Sequence, residues 1–98
     1  IGNYGRLPGQ FAYPQNLAVD ESTGFLYVGD VANRRIQVFD SNGNYLSEID
    51  KPIGVNDWQV MGLNVGPDGA LYAADGLNNL VWVFGADGSL RSRVEVQP

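Results

Sequence analysis

Leu26-Tyr-Val-Gly-Asp-Val-Ala-Asn-Arg-Arg-Ile-Gln-Val-Phe-Asp40 decides how this chain is read, because Leu71-Tyr-Ala-Ala-Asp-Gly-Leu-Asn-Asn-Leu-Val-Trp-Val-Phe-Gly85 states it again. Tyr27 and Tyr72 are 45 residues apart, and so are Asp30 and Asp75, Asn33 and Asn78, Val38 and Val83, Phe39 and Phe84, and Gly43 and Gly88. Upstream, Leu17-Ala-Val19 matches Leu63-Asn-Val65 at a spacing of 46, since the first copy holds one more residue before Gly24. Coincidences this dense at one spacing identify a repeat protein with two copies.

Within each copy the apolar runs are short and bounded by turn residues, the pattern of strands rather than helices. The first copy predicts strands over Asn16–Asp20, Phe25–Gly29, Arg35–Phe39 and Tyr45–Ile49. The turns between them carry Gly24, Asp30 with Asn33, and Asp40 with Gly43. Glycine supplies a positive φ, and Asp or Asn can bond neighbouring peptide groups. The second copy predicts strands over Met61–Val65, Leu71–Ala74, Leu80–Phe84 and Leu90–Val96. Residues 1–13 and Lys51–Gln59 read as two long connections, and no helix longer than a turn is expected. Four strands joined by three short hairpins form an antiparallel meander. Phe25-Leu-Tyr-Val28, Leu71-Tyr-Ala-Ala74 and Val81-Trp-Val-Phe84 are continuously apolar, which calls for cover on both faces of a sheet. The fourth strand of each copy is more polar, as an outer edge strand is. A twisted four-stranded meander repeating near 45 residues has the form of a propeller blade.

Gly9-Gln-Phe-Ala-Tyr-Pro14, Leu17-Ala-Val-Asp20, Leu26-Tyr-Val-Gly-Asp30, Asn33-Arg-Arg-Ile-Gln-Val-Phe-Asp40 and Gly43 together resemble the NHL repeat, the blade of NHL β-propellers. The second copy is similar from Met61 to Gly88. It departs at Trp58-Gln-Val60, where the family has Phe-x-x-Pro, and at Leu80, where the family signature has its basic residue, here Arg35. The resemblance implies an all-β fold of two four-stranded antiparallel blades, the first about 14–50 and the second about 60–97, in one unit spanning 1–98. Such propellers usually have six blades, and two cannot close a ring. Bare apolar sheet faces exceed what soluble monomers usually expose. Three copies in head-to-tail contact supply six blades, so a cyclic homotrimer is expected, ahead of four copies with eight blades. The blander alternative is a segment excised from a longer propeller, since the chain opens at Ile1 without methionine. In the family pattern Ile1 would end the outer strand of a preceding blade, so both blades are expected to be complete.

Composition narrows the function classes. The chain has 98 residues, 6 basic and 11 acidic, for a net charge of −5. An acidic domain is repelled by phosphate backbones and anionic lipid, so neither nucleic acid nor membrane is an expected partner. Cysteine and histidine are both absent. That removes the thiol nucleophile, the commonest general base and the zinc site by which some NHL proteins act as lyases. No cofactor or metal is expected. Asp40-Ser-Asn-Gly-Asn44 offers alternating oxygens, but its glycine and Lys51 break the calcium-loop spacing. The sequence leaves the cellular compartment open.

In a meander, alternate connections emerge on the same edge. One face of the disc then gathers Tyr4, Arg6, Phe11, Tyr13, Asp30, Arg34, Lys51, Asp57, Trp58, Asp75 and Asn79. The other gathers Asp20, Glu21, Asp40, Asp68 and Asp87, without a basic residue. The mixed face is the expected binding surface, with Tyr4, Phe11, Tyr13, Arg34, Trp58 and Asn79 as candidate contacts for a protein or small polar ligand. Phe11, Tyr13 and Trp58 have a competing role as plugs between blades. Of the adjoining Arg34 and Arg35, one is expected to point out and one along the sheet, solvated or salt-bridged with Asp30 as the obvious partner. Asp30 and Asp75 suit the Asp–Asn turn of the repeat better than an acid–base pair. The leading expectation is a non-enzymatic, self-assembling scaffold or binding module. The competing one is a fragment of a larger hydrolase or lyase with channel-lining carboxylates.

Overall fold

The chain winds twice through the same four-strand meander. The computed structural model describes residues 4–12 and 14–96. Strands β1 (Pro14–Asp20), β2 (Phe25–Asp30), β3 (Arg35–Phe39) and β4 (Tyr45–Asp50) form one antiparallel sheet in that order. Strands β5 (Val60–Val65), β6 (Leu71–Asp75), β7 (Leu80–Phe84) and β8 (Leu90–Glu95) form the second in the same way. No described residue is helical.

The hairpins are set by short polar side chains that bond their own turns. Asp20 accepts from the peptide N–H and hydroxyl of Ser22 at 3.0 and 2.7 Å, and Gly24 closes that turn at φ +80°. Asp40 accepts from the peptide N–H groups of Asn42 and Asn44, both at 2.9 Å. In the second sheet Asp68 and Asp87 take the same part, accepting from the N–H groups of Ala70 at 3.1 Å and Ser89 at 3.0 Å. The β2–β3 and β6–β7 turns end instead on Arg34 and Asn79, both left-handed at φ 60° and 58°. Two non-glycine residues at the same strained step of two turns mark the repeat in the backbone itself.

Pleating assigns each residue a face. Register places Ala18, Tyr27, Val38 and Ser47 in one row across the first sheet, with Ile36 and Ile49 on the same side. Leu17, Val28, Gln37 and Glu48 form the neighbouring row and point the other way. In the second sheet Leu63, Ala73, Trp82 and Arg93 share a row, with Leu71 and Phe84 on that side. The shared core joins Ala18, Tyr27, Ile36, Val38 and Ile49 to Trp58, Val60, Leu71, Ala73, Trp82 and Phe84. One face of the first sheet is therefore packed on the opposite face of the second. Polar ties reinforce it: Asn16 Nδ2 donates to the Val60 carbonyl at 3.0 Å, and Trp58 Nε1 to the Arg34 carbonyl at 2.7 Å. The outer strands β4 and β8 are almost wholly exposed.

Candidate functional site

The long connections enter each sheet in parallel fashion. Residues 4–12 cross the first blade, and Lys51–Gln59 cross the second. The Ala12 N–H donates to Asp30 Oδ1 at 3.1 Å, and the Gln59 N–H donates to Asp75 Oδ1 at 3.1 Å. Phe11 lies against Phe39 with ring centroids 5.8 Å apart, and Trp58 against Phe84 at 6.1 Å. These pairs align the connections residue by residue: Phe11 with Trp58, Gln10 with Asp57, and Leu7 with Gly54.

The blades differ in what holds the connection down. In the first, Arg35 is buried beneath it and donates to the carbonyls of Arg6 at 2.6 Å, Leu7 at 3.2 Å and Gln10 at 2.7 Å. Its Nη1 also reaches Glu48 Oε1 at 3.3 Å, and its Nε lies 3.7 Å from Asp30 Oδ2. Gln37 adds a bond from its Nε2 to the Gln10 carbonyl at 2.6 Å and accepts the Gly9 N–H at 2.9 Å. In the second blade Leu80 and Trp82 stand in those two places. Trp82 Nε1 turns inward and donates to Asp75 Oδ2 at 2.9 Å. Beside it a cleft of about 600 Å³ opens between the connection, the β6–β7 turn and β8.

Asp75 is buried yet held ionised. Burial alone raises its carboxyl, but hydrogen bonds from Asn78, Trp82 and the peptide N–H groups of Gln59 and Asn78 outweigh that and keep it below the ordinary aspartate range. Asn78 Nδ2 donates to Asp75 Oδ2 at 2.6 Å, and Asn33 Nδ2 to Asp30 Oδ2 at 2.7 Å. Both carboxylates are built into the turns that present the connections.

The six candidate contacts fall in different places. Tyr4 is exposed and bridges Phe11 in a short parallel pairing. Phe11 is half-buried and lines an apolar hollow of about 470 Å³ with Pro14, Leu17, Leu26 and Val28. Tyr13 lies outside the described residues. Asn79 is exposed and lines the cleft beside β8. Trp58 is corrected: it is fully buried between the two blades and offers no surface to a ligand. Of the two adjoining arginines, Arg34 points out and pairs with Asp57 at 2.8 Å, while Arg35 is buried along the sheet with its Nε 3.7 Å from Asp30. The left-handed turn at Arg34 swings its side chain toward the connection and leaves Arg35 to follow β3 inward. On the opposite face Arg91 reaches from β8 to Asp68 at 3.2 Å, so that face is not free of basic groups. Leu80, standing where the repeat has a basic residue, was the sequence signal for the cleft.

Residues 11–39 match the NHL family model, described as NHL repeat. No curated protein matches the chain. Among solved structures, hydrazine synthase of Kuenenia stuttgartiensis superposes with a TM-score of 0.69 at 25% identity, over 85% of this chain and 24% of that one. Virginiamycin B lyase from Staphylococcus aureus gives 0.72 at 18% identity, over 94% and 30%. Luciferin-regenerating enzyme gives 0.73 at 16% identity, over 90% and 31%. The chain thus spans less than a third of each of these structures. Its first blade is built on an NHL repeat, and the chain as a whole has the fold of two neighbouring β-propeller blades.

Proposed function

We propose that this chain is a propeller scaffold that completes its ring with further copies of itself, three copies giving six blades, and offers its connection-bearing face to a protein or small polar ligand. One observation carries the reading. The two sheet faces left open are the counterparts of the two that are joined inside the chain. Internally, the Tyr27–Ile36–Ile49 face of the first blade packs on the Leu63–Leu71–Phe84 face of the second. Outside, the second blade bares the equivalent Tyr72–Val81–Val94 face, and the first bares the equivalent Leu17–Val19–Leu26 face. Ile49 is 6% exposed, whereas its counterpart Val94 is 53% exposed. A second copy set head to tail brings these two faces together in the arrangement already used within the chain. Contacts of that heterologous kind close when the rotation per unit divides a full turn.

Equilibrium sedimentation of the chain tests this. A single species at three times 10.6 kDa is expected, and a species at 10.6 kDa at all concentrations overturns it. The alternative, one portion of a longer propeller enzyme, is favoured by the fraction of each solved structure that the chain spans. On that reading the open faces are covered by blades of the same polypeptide. Asp30 and Asp75 do not supply its chemistry, because both are committed to turn hydrogen bonds.

A further inference from the structure

We propose that the cleft beside β8 is a recognition site for a guanidinium group, presented as an arginine side chain by a partner polypeptide. The inference rests on the reading of the connection-bearing face as a binding surface, and not on ring closure. Its basis is that the first blade carries its own occupant at the equivalent place. There the guanidinium of Arg35 fills the space under the connection, bonded to the carbonyls of Leu7 and Gln10 and paired with Glu48. The cleft in the second blade is lined by Gly54 and Asp57, the counterparts of Leu7 and Gln10, by Leu80 for Arg35, by Arg93 for Glu48, and by Glu95 for Asp50, which lies opposite Arg35 on β4. The Asp57 carbonyl accepts one bond, from Asn78 Nδ2 at 2.9 Å, and keeps a second lone pair. Leu80 is too short to fill the space and carries no donor, and the Trp82 indole takes up only the part nearest Asp75, so the remainder is open as the cleft.

The shape selects the chemistry. A planar fork of N–H donors satisfies several carbonyls at once, which a compact ammonium cannot do. Trp82 gives the cleft a flat apolar floor, and Glu95 provides a carboxylate at its outer edge. Arg93 stands where Glu48 pairs with Arg35 and is exposed at the rim. It weakens attraction for a cation from that side, which sets the affinity low and makes the position a lever on it.

The test is titration of the chain with N-acetyl-arginine-methylamide, followed by the indole N–H resonance of Trp82. Saturable binding with a dissociation constant on the order of 1 mM is expected. The lysine and citrulline analogues should each bind about tenfold more weakly, the first for lack of the fork and the second for lack of charge. Arg93→Glu restores the acid of the first blade and should tighten binding about tenfold. Leu80→Arg supplies the occupant from within and should abolish binding, and Glu95→Gln, at an exposed position that cannot unfold the sheet, should weaken it severalfold. Equal affinity for the lysine analogue, or binding indifferent to both Leu80→Arg and Arg93→Glu, overturns the guanidinium assignment while leaving the face a binding surface. Absence of saturable binding up to about 20 mM overturns it as well, and the sedimentation result is independent of either.

Discussion

Tyr27 and Tyr72 hold the same place in the two blades, yet Tyr27 is 3% exposed and Tyr72 is 40% exposed. The same contrast runs along β2 and β6. Every residue of β2 from Tyr27 to Asp30 is buried, whereas β6 alternates buried and exposed. The two strands are nearly equally apolar, so composition does not separate them. What separates them is a neighbour: β2 has a sheet on one side and residues 4–12 on the other, and β6 has a sheet on one side alone. A blade is therefore a half-finished object whose burial pattern reports its position in the stack.

The largest effect that can break this comparison comes from placing a charge at equivalent points of the joined and open faces. Ile36 is fully buried at the internal interface, and an unpaired carboxylate there costs well over the few kcal/mol a small domain holds in reserve. Ile36→Asp should leave the chain unfolded by circular dichroism. Val81 is its counterpart on the open face. Val81→Asp should retain the sheet signal while the sedimenting mass falls to 10.6 kDa. If both variants unfold alike, or if Val81→Asp leaves the mass unchanged, the open face is not an assembly surface.

A second pair sharpens the contrast between the connections. Trp58 is fully enclosed and bonded to the Arg34 carbonyl, so Trp58→Ala should destabilise the chain by about 3–5 kcal/mol in urea unfolding. Phe11, half-buried at the edge of the open hollow, should cost less than about 2 kcal/mol as Phe11→Ala in the isolated chain. In an assembled ring Phe11 becomes enclosed like Trp58, and the two costs should converge at concentrations where the mass is threefold.

Much of this was legible before any coordinates. The 45-residue repeat marked the hairpins through Gly24, Asp40 and Gly43, because turn chemistry is local and needs no knowledge of packing. The direction of each arginine in Arg34-Arg35 was not legible. It depends on the left-handed step at Arg34, which nothing in the residue itself favours. For Trp58 the sequence leaves two roles open, because a tryptophan in a long connection suits a plug and a ligand anchor equally well, and the structure makes it the plug. Only the spacing to Phe84 across the sheet distinguishes them. Tyr72 and Leu17 carry no sign in the sequence that they are open, since their exposure is a property of what lies beyond the chain's two sheets.

The guanidinium of Arg35 offers a third, smaller contrast. Arg35→Leu makes the first blade resemble the second, and it removes the donors that hold the carbonyls of Arg6, Leu7 and Gln10. It should cost about 2–3 kcal/mol, consistent with losing charge-assisted bonds to carbonyls in a buried setting. Amide exchange should accelerate in residues 5–10 first, and in β3 much less. Uniform acceleration across the sheet would mean that Arg35 supports the blade rather than the connection.

The smallest effects are in pH, where Asp75 and Glu48 should move in opposite directions. Asp75 is held below the ordinary aspartate range, so its contribution to stability is fully present above about pH 4 and is lost as pH falls through its lowered value. The stability gap between the wild-type chain and Asp75→Asn should narrow on acidification below about pH 4. Glu48 is shifted the other way, first through its hydrogen bond with Asp50, then by burial and the charge of Asp50, with Arg35 opposing. A carboxyl raised in the folded state favours folding at low pH and loses that contribution as pH rises through the raised value. Glu48→Gln should therefore gain on the wild-type chain as pH climbs above about 4.3. The counterpart position in the second blade holds Arg93 and no carboxyl, so Arg93→Gln should show no such slope, and a slope there would remove Glu48 as its source.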